Sequence, residues 1–256
     1  MWNAIARDVS PALGRCELSH IPREPIDVAR ARSQHRAYLR ALESAGCKVQ
    51  TLPEERELPD SVFVEDVAIV LDEVAVLTRP GAQSRRPEVA SVADLLRRHR
   101  PLHAIEAPAT LDGGDVLRMA RTLYVGQSAR SNPEGIAQLR ELLLPWGYAV
   151  EGVATRDCLH LKSAVTALSD DSVLLQPAWV DREHFATFGF IEVDPAEPHA
   201  ANVLRIGGAL IMPDSFPRTR QRLLDAGFHV IAVDVSELQK AEGAMTCCSL
   251  VFRPAA

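Results

Sequence analysis

The apolar positions of this chain fall into short runs separated by acidic or glycine-containing loops, and most pairs of runs are followed by a stretch whose apolar residues recur at helical spacing. Glu65-Asp66 precedes a run from Val67 to Leu71; the turn Asp72-Glu73 and a second run, Val74 to Leu77, follow. A helix is predicted from near Pro87, with Val89, Val92, Leu95 and Leu96 on one face. Asp112-Gly-Gly-Asp115 leads in the same way into Val116 to Met119, then Leu123 to Val125, and Asn132-Pro133 opens a helix that buries Ile136, Leu139 and Leu143. A third unit runs from His160 through Ala164 to Leu168, turns at Asp170-Asp171 and continues from Val173 to Leu175, with only a short helical stretch near Asp181. In the fourth, Val203 to Ile206, the turn Gly207-Gly208 and Ala209 to Met212 precede a helix from about Pro217 to Ala226 that Gly227 stops. The fifth is split. Its strand is predicted from Cys247 to Phe252, and its helix comes from the N-terminal segment Asp27 to Ala45, where Val28, Ala31, Tyr38, Leu39 and Leu42 share a face before Gly46.

The equivalent positions Asp66, Asp115, His160, Asn202 and Cys247 are 49, 45, 42 and 45 residues apart, regular enough for one structural unit copied around a ring. If each unit turns its strand start toward a common axis, Glu65, Asp66, Asp112, Asp115, His160 and Cys247 converge there. The competing reading is an ordinary mixed α/β sheet with scattered polar loops, and other propellers repeat at similar lengths. In either case residues 1–256 form one α/β domain.

Composition narrows the function classes. The net charge is -6, with arginines and acids interspersed, so there is no basic stripe for a phosphate backbone and nucleic acid is not an expected partner. No apolar run is long enough to span a membrane, and the N-terminus lacks the charged start, apolar stretch and cleavage site of a signal peptide. A cytoplasmic location follows. The five cysteines are odd in number and widely spread, which reads as reduced thiols in a chain large enough to fold without disulfides.

Cys247 and Cys248 lie in Thr246-Cys-Cys-Ser-Leu-Val-Phe252, where strand alternation lets one thiol face the axis and buries the other. A cysteine nucleophile needs a cation or a base nearby, and His160 occupies the equivalent strand start two units earlier. A lone cysteine or histidine is more often a packed core residue, so the pair carries the argument. Zinc held by Cys158, His160 and Cys247 is the second reading, but the spacing lacks the pattern of closed zinc sites. Asp60, Glu65, Asp66, Asp112 and Asp115 all precede apolar strands. Carboxylates converging in a partly dry site repel one another, and a cationic ligand relieves that repulsion. A planar guanidinium, with its fixed fork of donors, matches carboxylates in particular. Gly113-Gly114 suits a loop whose backbone closely approaches such a ligand. Arg85 and Arg130, each after the second strand of its unit, are placed to hold a carboxylate at the ligand's other end.

These residues resemble the dimethylarginine dimethylaminohydrolases, of the guanidino-group modifying superfamily. The likeness covers nearly the whole chain and rests on five motifs in order. They are Asp60-x-x-Phe63-Val-Glu65-Asp66-Val, Thr78-Arg-Pro-Gly81-x-x-Ser84-Arg85-Arg, Leu111-Asp112-Gly-Gly-Asp115-Val, Leu159-His160-Leu-Lys-Ser, and Thr246-Cys247-Cys-Ser. The resemblance implies a five-bladed α/β propeller, the pentein fold, built as a pseudo-fivefold repeat of ββαβ-type units and needing no cofactor or metal. It implies hydrolysis of asymmetric dimethylarginine or monomethylarginine to citrulline and an alkylamine through a thiouronium on Cys247. His160 would act as general acid and base, and Asp112 would orient it. Asp66 would hold the guanidinium, Asp60 and the backbone of Leu18 the α-amino group, Arg85 and Arg130 the α-carboxylate. Phe63 would line the site, while Glu65 and the backbone at Ala241 border it. Leu18 falls in a segment that the family uses as a mobile lid. At position 112 many bacterial relatives carry glutamate, and this chain follows the vertebrate-type pattern. The partner is thus a small molecule, with the protein a monomer or homodimer. The rivals are arginine deiminase, whose members resemble longer chains, and a catalytically silent propeller that binds arginine-like ligands.

Overall fold

In the computed structural model, which describes residues 1–254, the runs assemble into five three-stranded sheets. The first sheet takes β1 (Trp2–Arg7), β2 (Cys47–Leu52) and the last strand of the chain, with α1 (Val28–Ser44) between β1 and β2. Next come β3 (Ala68–Val70), β4 (Ala75–Leu77), α2 (Val89–Leu96) and β5 (Leu102–Ala104), and then β6 (Val116–Met119), β7 (Thr122–Gln127), α3 (Pro133–Leu143) and β8 (Ala149–Ala154). A one-turn helix α4 (Leu161–Ala164) precedes β9 (Val165–Ala167), β10 (Ser172–Leu175) and β11 (Gly189–Glu192). The chain closes with β12 (Leu204–Ile206), β13 (Ala209–Pro213), α5 (Pro217–Asp225), β14 (His229–Val233), α6 (Ser236–Gln239) and β15 (Leu250–Phe252). In every sheet the middle strand pairs antiparallel with one neighbour and parallel with the other, as in a ββαβ-type blade, although between β10 and β11 a 3-10 turn (Arg182–Phe185) replaces the helix. This is the α/β propeller with its pseudo-fivefold repeat.

Local chemistry accounts for the helix ends. Asp27 caps α1 by accepting from the Arg30 amide, Asn132 caps α3 from the Gly135 amide, and Gly46 and Gly227 take the positive φ that ends α1 and α5. Apolar clusters fill the space between neighbouring blades: Ile69, Val76 and Leu111 pack with Val125, Leu139 and Leu143. The split blade is held by Tyr38 of α1, fully buried, whose hydroxyl reaches the Met245 carbonyl at 2.9 Å and the Ser249 hydroxyl at 2.6 Å. The blade register thus matches the repeat, with two corrections. Cys247 is not in a strand: residues 245–248 form a turn, and β15 begins only at Leu250. His160 is not in a strand either. It sits immediately before α4, because the amide of Leu161 turns back to a carboxylate of the preceding blade. One end of the ring axis opens as a cavity of about 610 Å³ with Glu65 and Lys162 among its lining residues; Trp2, Arg118, Arg205 and Phe252 also line it.

Candidate active site

At the other end of the axis the loops entering the inner strands meet. Glu65 and Asp66 lie in a 3-10 turn (Val64–Val67) before β3, and Asp112 opens a second such turn (Gly113–Asp115) before β6. His160 and Cys247 stand at the matching places of their own blades. The imidazole Nε2 lies 3.1 Å from Asp112 Oδ2, and its Nδ1 lies 3.8 Å from Asp66 Oδ1. All three residues are buried. Burial alone would favour neutral imidazole, but Asp66, Asp112 and Asp115 outweigh it and raise His160 to about 9, so it is an imidazolium at neutral pH. The converse holds for Asp66: burial opposes its ionisation, yet His160, Arg85 and the Gly114 amide together hold its carboxyl below the usual range.

The glycines of the motifs are explained by close approach. A methyl group on Gly114 would lie 2.5 Å from His160 Nδ1 and 2.6 Å from Asp66 Oδ1; one on Gly81 would lie 2.5 Å from the Arg130 carbonyl oxygen. The Gly81 amide donates to Asp112 Oδ1 at 2.9 Å, so both carboxylate oxygens of Asp112 have a partner.

Cys247 is half-buried, and the Glu65 amide donates to its carbonyl at 3.1 Å. Burial and then the charges of Glu65 and Asp66 push its thiol well above the ordinary value, so the resting nucleophile is protonated. Cys248 is buried, with its thiol directed to the Ala244 carbonyl, and is excluded from the site. Beneath them Glu65 accepts from Lys162 and from the Thr246 hydroxyl at 2.7 Å, while Asn202 bonds both Thr246 and the Lys162 carbonyl. Burial raises the Glu65 carboxyl despite Lys162. Neither Asn202 nor Lys162 was expected to take part. Asn202 was legible only as a register mark of the repeat.

Arg85 lies at the same site with most of its donors already paired. It is buried rather than reaching out as a free cation, because Glu88 accepts from Nε and Nη2, Asp66 from Nη1, and the Phe63 carbonyl from Nη2. Arg130 is freer, with Nη2 bonded to the Ser19 hydroxyl at 3.2 Å and Nη1 3.9 Å from Asp112. Asp60 is buried with both oxygens accepting from the Glu17 amide, and burial raises its carboxyl against the pull of Arg85. Leu18 is half-buried and packs on the cluster of α1 and α6. Phe63 is buried with its ring edge facing Gly243, and Ala241 is buried after α6. Glu242, which sequence reasoning missed, accepts from the amides of Ser19, His20 and Ile21 and takes a positive φ of 57°. Loop 17–21 is therefore clasped at Asp60 and at Glu242.

Asp66, Asp112 and His160 bring potential ligand atoms within 4.8 Å of one another, but the carboxylate oxygens already face the Gly114 and Gly81 amides, Arg85 and the imidazole. Their donor set suits a buried proton-transfer site better than a coordination sphere. No helix among the described residues is long and apolar enough to cross a membrane.

Comparison with known proteins gives concordant results. The profile of one family, described as N,N dimethylarginine dimethylhydrolase, eukaryotic, matches residues 21–252. The N(G),N(G)-dimethylarginine dimethylaminohydrolase of Pseudomonas aeruginosa is 38% identical over 88% of this chain and 90% of its own. The protein of the same name from Streptomyces coelicolor is 40% identical over 98% and 96%. Among solved structures, a cysteine-to-serine mutant of the P. aeruginosa enzyme complexed with citrulline superimposes with a TM-score of 0.93 at 35% identity, covering 98% of both chains. The N-terminal domain of the cyanobacterial arginine dihydrolase ArgZ shares the fold with a TM-score of 0.86 at 19% identity.

Proposed function

Because the chain belongs to the dimethylarginine dimethylaminohydrolase family, we propose that it hydrolyses Nω-methylated arginine to citrulline and an alkylamine with the residues assembled around His160. The substrate guanidinium lies against Asp66, with Asp112 close to the nitrogen that departs. The arriving cation offsets the Glu65 and Asp66 charges that keep the Cys247 thiol protonated, so the thiol releases its proton to solvent and thiolate forms where it is needed. The sulfur attacks the guanidinium carbon. As the C–S bond forms, the bond to the methylated nitrogen breaks, and the His160 imidazolium gives its proton to the departing amine. The imidazole, now neutral, takes a proton from a water molecule that adds to the same carbon; as the C–S bond then breaks, the new hydroxyl group gives up its proton to solvent, releasing citrulline and the thiolate.

Arg130 carries the α-carboxylate, assisted by the Nη1 hydrogen that Arg85 has left after bonding Asp66. Asp60 and the backbone at Leu18 receive the α-amino group, Phe63 lines the pocket, and Glu65 and Ala241 border it. We place this single-domain enzyme in the cytoplasm, as a monomer or homodimer, consistent with five free thiols. The observation that carries the reading is His160 held as a cation between Asp66 and Asp112, with the half-buried Cys247 thiol under the charge of the same Asp66.

The test is incubation of the purified protein with arginine, monomethyl-, dimethyl- and hydroxyarginine, with citrulline as the common readout. Methylated arginines should be turned over best. Cys247→Ser should lower turnover by orders of magnitude while ligand affinity persists. Absence of citrulline from any methylated substrate, together with failure of an amidine electrophile to alkylate Cys247, overturns the assignment.

A further inference from the structure

We propose that Asp115 is a positioning residue that sets His160, Asp112 and Arg130 in register with one another. Its carboxylate is fully buried, and the chain connects it to each of the three through hydrogen bonds. Oδ1 accepts the Leu161 amide at 2.9 Å, which fixes the peptide immediately after His160. Oδ2 accepts two hydroxyls, those of Ser128 and Ser131, each at 2.6 Å. Each serine passes the constraint on: Ser131 Oγ accepts the Asp112 amide at 3.1 Å, and Ser128 Oγ accepts the Arg130 amide at 3.0 Å. One side chain therefore ties together the acid, its orienting carboxylate and the arginine assigned to the substrate carboxylate. These residues stand on three separate loops.

Two further observations argue that the carboxylate is there for the site and not for the fold. A Cβ on Gly126 would lie 2.5 Å from Asp115 Oδ1, so β7 carries a glycine where the carboxylate must approach. Among the described residues Asp115 forms no ion pair with lysine or arginine, and burial raises its carboxyl to about 6 against the help of His160 and both serines. Keeping an ionised group there opposes stability, and a neutral polar residue would fill the space with less penalty. Asparagine changes the connections: its single acceptor oxygen can keep the Leu161 amide, but its NH2 then faces the Ser128 and Ser131 hydroxyls, which must turn from donating to accepting while still holding the Arg130 and Asp112 amides.

The inference rests on the roles proposed above for Arg130 and Asp112, so those residues serve as references. Asp115→Asn is expected to lower kcat about 100-fold, the scale of a displacement near 1 Å at the reacting centre. The serine variants separate the connections and remain informative if Asp115→Asn does not fold. Ser131→Ala should lower kcat roughly tenfold with KM within twofold, and Ser128→Ala should raise KM roughly tenfold with kcat within twofold. A purely structural role would lower the melting temperature in both and leave the two kinetic parameters together. That result overturns the proposal, as does Asp115→Asn folding with near-wild-type kcat and KM. If Arg130→Ala leaves KM unchanged or Asp112→Asn leaves kcat unchanged, the roles themselves are wrong and the proposal falls with them, a failure distinguishable from one confined to the serines.

Discussion

Replacing Gly114 by alanine adds one methyl group between the two groups that define the acid. An ideal Cβ there lies 2.5 Å from His160 Nδ1, 2.6 Å from Asp66 Oδ1 and 2.8 Å from the imidazole Cγ. Ordinary contacts between such atoms begin about 1 Å farther out, so the ring or the carboxylate must move by roughly that distance. Neither can move freely: His160 is held by Asp112 at 3.1 Å, and Asp66 by Arg85 and by the Gly114 amide itself at 3.0 Å. A displacement of this size at a reacting group lowers turnover about 100-fold, or about 3 kcal/mol of transition-state stabilisation. The assay is steady-state citrulline production from dimethylarginine by Gly114→Ala, with Gly208→Ala as the control, since a Cβ at Gly208 meets nothing within 4 Å. The control should retain wild-type kcat and KM. A Gly114→Ala protein with kcat within threefold of wild type would refute the claim that the His160 and Asp66 geometry limits the reaction.

Three further outcomes follow from the same geometry. In kcat/KM against pH, the alkaline limb should fall near pH 9, where His160 loses the proton it must donate; Asp112→Asn should move that limb to lower pH, and an unmoved limb excludes Asp112 as the group holding the imidazolium. The raised His160 pKa also has a stability consequence: folded His160 binds its proton more tightly than the unfolded chain, so its contribution is complete below pH 6.5 and is lost as pH rises through about 9. Unfolding free energy should thus decline by roughly 3 kcal/mol at most over that window, and His160→Gln should flatten the decline in denaturant titrations; an unchanged slope rejects the assignment. Glu242→Ala removes the acceptor of three loop amides, so hydrogen exchange at Ser19–Ile21 should accelerate about tenfold or more and KM should rise; unchanged exchange would show that Glu242 does not hold the loop.

Much of the ring was legible because its signal is local and repeated. The paired runs Val116 to Met119 and Leu123 to Val125, the capped helix after Asn132 and the Gly227 stop all appear in the structure where the side-chain periodicity puts them. The outer strands were not read. β5 has three residues, too few to display a period, and the residues of β11 are exposed or only half-buried, so they leave no clear apolar pattern. His160 and Cys247 were placed at the right points of the repeat but in the wrong local structure. The alternation around them suggested strands, whereas the Leu161 amide is turned by Asp115, a residue 46 positions away.

The sequence by itself determined the elements, their order and the set of residues presented to the axis, because apolar spacing, capping and turn chemistry act over a few residues. Only the tertiary structure decided which charges pair. In Ser84-Arg85-Arg86 the i,i+3 spacing to Glu88 favours Arg85 locally, but it is Asp66, 19 positions away, that buries it once the ring has closed, and Asp112 acquires its imidazole in the same way. Coulombic and hydrogen-bonding partners of a buried group come from whichever loops the fold brings within reach, and that proximity has no signature in the spacing of residues along the chain.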